Sequence, residues 1–411
     1  MDNLTHTLAG ILVGEALHRV LPPSAALSDR ARRATAITVM AVAGNLPDID
    51  VLYTVWAGTT PDYLLHHRGH THTFVGSLAL SLVLFLAVRL WWRFRRIRPR
   101  PADLLFLAGL SVLGTLLHLG LDFGNSYGIH PFWPIDNRWH YGDAVFIIEP
   151  LLWACAGALL FVMRGKVMRV LVALVLVVAV GLSWFSGLVP PSLSAVLTLL
   201  ALGLAALSRF APARVALAGG IVAWLAVTAT FAITARVAES RMDAVLADRF
   251  PAARTLDIVL TPMPVNPVCR EIIAVQSTAG QYVVRRAFHS LAPGWVPADQ
   301  CARSNPLSAG STAPLAPVAQ PSTGEVAWAG EVTASADRLT GLAARYCAVD
   351  ALLRFARVPW AEPKGDGWIV GDIRYDRSPG LDFTEVEVGP GRDECPRLPA
   401  PWTPPREDLL R

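Results

Sequence analysis

Imidazoles and carboxylates recur at short spacings in the first third of the chain. Nine of the ten histidines precede residue 141. His6 lies in Thr5-His6-Thr7, and Asp48 and Asp50 lie in Leu46-Pro47-Asp48-Ile49-Asp50. His66, His67, His70 and His72 share one stretch with Arg68 and Gly69, and His118 precedes Asp122 by four. Imidazole with carboxylate is a donor set for zinc, manganese or iron, whereas all-oxygen sites favour magnesium or calcium. His118 and Asp122, four apart in a helical run, share a face and can hold one ion together. Asp48 and Asp50 follow Pro47, where an extended segment would point both carboxylates the same way. A turn at Gly69 would bring His67 and His72 together. His6, Asp48, Asp50, His67, His72, His118 and Asp122 are thus candidate metal donors, while one tetrahedral zinc takes only three or four. The surplus points to two ions sharing a bridging aspartate, as in many phosphoesterases. Asp50 and Arg68 are the candidate catalytic residues, with the Arg68 fork suited to a phosphate oxygen. Taken singly, a His-x-x-x-Asp is ordinarily a hydrogen-bonded pair, and an Asp-x-Asp after proline is ordinarily a cap or turn. His18 reads as an interfacial residue. His66, His70, His130 and His140 read as ligands, supporting groups or surface residues, and His289 as structural.

The elements that must position these groups are apolar. The chain is 53% hydrophobic over 411 residues, too high for an ordinary soluble protein. A bilayer crossing needs about 20 mostly apolar residues. The stretches 73–92, 102–121, 144–163, 167–188, 192–208 and 213–235 meet that length, and 4–21 and 33–46 are shorter or more mixed. The expected fold class is an α-helical multi-pass membrane bundle of about eight apolar helices (1–235), followed by a small soluble α+β or β-rich domain (236–411). The first segment lacks a basic start and carries His6, which argues against a cleaved signal. Arginines and lysines concentrate in 18–33, 89–100, 164–169 and 208–214, while the alternate loops hold only Arg68 and Arg138. With eight crossings, basic loops inside put both termini outside and bring the four motifs to one outer face. Ionisable groups beside apolar spans are costly unless they pair, bind an ion or react.

Beyond residue 236 the pattern changes. Residues 254–290 alternate like strands, as do 367–375 and 381–388. Residues 304–324 read as a loop and 338–357 as helical. Cys269, Cys301, Cys347 and Cys395 all lie there, an even set that suggests two disulfides among three possible pairings. Cys155 reads as a core residue. The region holds no catalytic constellation, and its expected role is to gate the membrane site or bind a partner.

The segments THTLAG, LPDID, HRGHTHT and HLGLDFGNSYGIHPFWP resemble the YdjM/YbcI-like family of bacterial membrane-bound metal-dependent hydrolases, nearest its YfhP-like subgroup. The resemblance extends through Arg138-Trp139, Asp143 and Phe146–Pro150, and on to Pro264–Pro267 and Gly371–Tyr375. By position it implies functional roles for His6, Asp48, Asp50, His67, Arg68, Gly69, His72, His118 and Asp122. Four features depart from the family pattern: Thr73, the additional His66, Glu149-Pro150 in place of an Asp-Pro, and Cys269 in place of an aromatic residue. The expected function is a hydrolase using zinc or manganese, with one or two ions, on a phosphoester or lipid-linked substrate. It would act at the outer face of the bacterial cytoplasmic membrane. The alternative is a non-catalytic metal-binding membrane protein, such as a sensor or assembly factor. A transporter ranks third, because the donors gather at one face. Nucleic-acid binding is not expected, because membrane topology accounts for the arginines.

Overall fold

The computed structural model describes residues 1–23, 26–278, 281–305 and 310–410. The N-terminal half is helical. In order it holds α1 (Asn3–Val20), α2 (Asp29–Ala43), α3 (Val51–Ala57), α4 (Thr60–His66), α5 (Phe74–Phe94), α6 (Pro101–Phe123) and α7 (Pro150–Ala154). These are followed by α8 (Lys166–Phe185), α9 (Pro191–Phe210) and α10 (Ala213–Arg249). Among the described residues five helices are long and apolar enough to cross a membrane: α5, α6, α8, α9 and α10. A sixth span arises if α2 and the following helical turns, bent by 51° at the break, count as one. The expected count of eight is therefore not met.

The shortfall has a physical reason. α1 buries Thr5, His6, Glu15 and His18 against other helices, so its residues need not match lipid. The segment Pro150–Leu159 is short and wholly buried. α1 packs directly on α2: a Cβ added at Gly10 or Gly14 would strike the Met40 or Ala36 backbone at 2.6 Å. This Gly-x-x-x-Gly spacing lets two backbones approach closely. A Cβ added at Gly114 of α6 would likewise strike the Ala43 side chain, so α6 packs closely against the end of α2.

α10 has 37 residues, roughly 55 Å of helix, longer than a bilayer core needs. It continues past residue 235, where the helical and mixed compositions divide, and leads into the strands. β1 (Arg254–Met263), β2 (Asn266–Thr278), β3 (Gln281–Ser290) and β4 (Val326–Ser335) form one antiparallel sheet in sequence order. α11 (Ala298–Arg303) precedes β4, and α12 (Ala336–Arg345) and α13 (Cys347–Leu353) follow it. β5 (Pro359–Lys364), β6 (Gly367–Asp372) and β7 (Glu385–Val388) form a second antiparallel sheet, and α14 (Glu407–Leu410) ends the fold. The helix expected over 338–357 is thus two helices broken at Tyr346. Of the loop expected over 304–324, residues 306–309 lie outside the described set, and Ala316 bridges to Glu331. The cysteines pair as Cys269–Cys301 and Cys347–Cys395, and Cys155 is a buried free thiol.

The C-terminal domain grips the segment between α6 and α7, and also α4. Arg357 is shared by Asp143 (2.8 Å) and Asp257 (2.7 Å). Arg374 donates to the Ser126 carbonyl at 2.7 Å, and Trp402 to that of Leu65 at 2.6 Å. Buried Glu149 accepts from the Leu151 and Val265 amides.

Candidate metal centre

Four backbone ends deliver the side chains. α1 carries His6 near its start, a 3-10 turn after α2 carries Asp48 and Asp50, another before α5 carries His72, and the last turns of α6 carry His118 and Asp122. Asp48 and Asp50 therefore sit on a 3-10 helix rather than on an extended segment. Pro47 at its start fixes φ where no amide donor is needed. Asp48 turns towards His72 and His118, whereas Asp50 turns towards His67 and the backbone of the next loop. The left-handed residue of the HRGHTH turn is Arg68 (φ 58°), not Gly69. A non-glycine residue there is strained by about 1–3 kcal/mol and must be held by its surroundings. The hydrogen bond from the Arg68 amide to Asp50 Oδ2 (2.9 Å) supplies that hold.

Asp48, His72, His118 and Asp122 converge, each offering one donor atom within 4.8 Å of the others. His72 Nε2 lies 3.0 Å from His118 Nε2, 3.4 Å from Asp48 and 3.2 Å from Asp122 Oδ2. His118 Nε2 lies 3.6 Å from Asp48 and 3.4 Å from Asp122. A tetrahedron with ligand bonds of about 2.0–2.2 Å has edges of roughly 3.3–3.6 Å. These five separations fall on or close to those edges. The far nitrogen of each ring is also committed. His118 Nδ1 donates to the Gly44 carbonyl at 2.7 Å. His72 Nδ1 lies 3.3 Å from Asp50 Oδ2. Protonation at Nδ1 leaves both Nε2 lone pairs pointing inward, the usual way a neighbouring group orients a metal-binding histidine. Asp122 Oδ2 is buried without a hydrogen bond among the described residues, although it borders both imidazoles and Arg68 Nε. The donor set and its spacing fit a divalent ion.

Electrostatics agree. Burial alone would lower the His72 pKa, but the carboxylates of Asp122, Asp48 and Asp50 around it raise it to about 10. The three carboxylates around His72 favour positive charge at this spot, whether a proton or a metal ion carries it.

The remaining sequence candidates fall into distinct places. Asp48, Asp50 and His67 form a second group of donors, with Asp48 common to both groups. Asp50 is already engaged by the Arg68 amide, Thr71 Oγ1 (2.8 Å) and His67 Nδ1 (3.3 Å). His6 stands outside the four. Its Nε2 faces Asp122 Oδ1 at 3.2 Å, and its ring stacks on His118 at 3.9 Å. The Met1 amino group also contacts Asp122 Oδ1. Arg68 is buried, with Nη1 donating to Asn125 Oδ1 at 2.9 Å and Nε 3.0 Å from Asp122.

His18 is buried beside Asp29 at the opposite end of α1. His66 faces the Leu398 carbonyl, His70 meets Trp133 edge-on, and His130 stacks on Trp402. His140 pairs with Asp136, and His289 lies buried near Glu325. Thr71, Asn125 and the Gly44 carbonyl were not foreseen as parts of the site. Asn125 and its neighbours lie within the FGNSYG motif, which was itself a usable signal.

Two other groups of possible donors have local explanations. Cys347 and Cys395 are joined to each other, and Asp393 caps the start of α13. Asp376, close to Asp382 and Glu385, is occupied by the Thr312 and Ala313 amides.

Residues 1–188 match the family described as YdjM inner membrane protein, and this match spans every residue of the centre. The apolar helices and this match together support a multi-pass inner-membrane protein. The chain is also similar to the uncharacterized protein YfhP of Bacillus subtilis (strain 168), at 31% identity over 154 residues. That alignment covers 37% of this chain and 43% of the relative, so it spans less than half of the relative's length. No solved structure matches. The motif likenesses at 264–267 and 371–375 lie beyond the family match.

Proposed function

We propose that this protein is a membrane-bound metal-dependent hydrolase acting on a phosphoester at the outer membrane face. The observation that carries this reading is the near-tetrahedral set Asp48, His72, His118 and Asp122, with both imidazoles locked to present Nε2. A bound zinc or manganese ion would polarise the ester and acidify water. Asp48, shared with the Asp50/His67 group, is the natural bridge if a second ion is held. Arg68 borders the centre and reaches the adjoining cavities, where it can bind a phosphate oxygen. Asp50, with its oxygens engaged by His67, Thr71 and Arg68, acts as a positioning residue.

The outer-face assignment rests on the opposite end of the bundle. There Arg214 donates to the Arg19 carbonyl, Arg164 pairs with Asp29, and buried Glu15 pairs with Arg19 and Arg33. Basic residues favour the cytoplasmic side. Two disulfides in the C-terminal domain accord with export.

The test is metal analysis of the detergent-purified protein, followed by turnover of a phosphoester panel with His118→Ala and Asp50→Asn controls. Turnover that needs the ion and falls in both variants supports hydrolysis. Bound metal without turnover sensitive to these changes favours a sensor or assembly role.

A further inference from the structure

Two cavities meet at His67, Arg68 and Ile147. One, of about 580 Å³, lies between the bundle and the C-terminal domain and is walled by Tyr63, Tyr127, Phe146, Tyr375 and Arg377. The other, of about 860 Å³, runs along α1 and α2 past Ile11, Ile37 and Ala41 and ends at Asp48. Ile37 lies seven residues before Gly44, about 10 Å of helix from the metal centre, so this cleft descends along the flank of the bundle. Its mouth is greasy. After the 51° bend, α3 presents Leu52 (70% exposed), Val55 (75%) and Trp56 (67%) outward. Leu52 itself lines the cleft. Such a short helix with an exposed apolar face and a tryptophan suits the lipid interface.

The polar end differs in character. Arg68 borders both cavities, and Arg377 makes no ion pair among the described residues while its Nε is buried without a hydrogen bond. Asp382 also lines the junction cavity, but the Ser378 hydroxyl (2.9 Å) and the Arg377 amide (3.3 Å) occupy its oxygens. An apolar channel open to the bilayer flank thus runs into a guanidinium-lined chamber beside a metal centre. A water-soluble substrate would need only the chamber.

We infer that the α1/α2 cleft holds the hydrocarbon chain of a membrane amphiphile whose phosphate head lies at Arg68 and Arg377, entering sideways from the bilayer. This deepens the hydrolase reading and rests on it only for what happens to the head group, because binding stands alone.

The test uses a diazirine-bearing hexadecyl phosphate, with the full chain in nanodiscs and adducts mapped by mass spectrometry. Adducts should fall on Ile11, Ile37 and Ala41. Hexadecyl phosphate should displace the probe, while hexadecanol and glycerol phosphate should not. Ala41→Trp should lose these adducts while keeping its metal content, which shows that it folds, and Val177→Trp on the far helix α8 should keep them. Adducts spread evenly over α5, α8 and α9, or displacement by hexadecanol, would overturn the inference. Mapped adducts without phosphate release would leave the cleft in place and remove hydrolysis. Turnover of a soluble phosphoester with no cleft adducts would do the reverse.

Discussion

Around Arg357 every buried carboxylate faces a guanidinium: Asp143 and Asp257 flank Arg357, Arg406 approaches Asp257 at 3.5 Å, and Asp372 holds Arg374. Around His72 the balance is different. Of Asp48, Asp50 and Asp122, only Asp122 meets the Arg68 guanidinium and the Met1 amine among the described residues, while Asp48 and Asp50 face imidazoles. The first cluster is complete as built and clamps the C-terminal domain to the loop after α6. The second has more acceptors than cations and points two imidazole lone pairs at the same spot. Buried charge that is fully paired belongs to architecture, whereas buried charge with an oriented deficit of cations marks a place for an ion.

His118→Ala removes one of four donors and should weaken metal binding by more than about 100-fold, since loss of a merely supporting group already costs 10–100-fold. Equilibrium dialysis against zinc reads this directly, and unchanged affinity would remove His118 from the site. Arg357→Ala leaves Asp143 and Asp257 buried without their shared partner, so it should destabilise the protein by about 3–5 kcal/mol. Metal content should be unchanged per folded molecule, and a loss of metal would mean that the two clusters are not separable. Asp50→Asn should sit between these outcomes, with affinity down roughly 10–100-fold and the fold intact.

The smallest effect concerns pH in the C-terminal domain. Burial, with Asp376 and Asp382 close by, raises the Glu385 carboxyl from 4.5 to about 7. The folded state therefore holds this proton more tightly than the unfolded chain does. The stability it contributes is fully present below about 4.5 and is lost as pH rises through about 7. Glu385→Gln should remove that decline, so the variant gains thermal stability relative to the parent as pH rises across this window. Parallel melting curves at every pH would refute the shift.

Much of the site was legible because metal chemistry needs particular residue types at particular helix ends. His118 and Asp122 could be paired from a spacing of four alone. His72 and Asp48 could be nominated from their places beside apolar segments. His6 could not be separated from the ligands, because its displacement onto the face of His118 depends on the close packing of Gly10 and Gly14 against α2. The turn at Arg68 was also hidden, since its strain is relieved by a hydrogen bond to Asp50, eighteen residues earlier. Span counting failed for a related reason. Hydropathy reports what faces lipid, and α1 and Pro150–Leu159 face protein. The cavity that Tyr375 and Arg377 line together with Arg68 escaped pattern reading as well, because it forms only in the folded chain.

Asp48, His72, His118 and Asp122 should together bind one ion. X-ray absorption on the purified protein loaded with one equivalent of zinc tests it most directly. The expected spectrum shows a four-coordinate nitrogen and oxygen shell at about 2.0–2.2 Å with two imidazoles, and loss of one imidazole signal in His72→Ala. A folded protein that takes up no zinc, or a shell unaltered in His72→Ala, would contradict it.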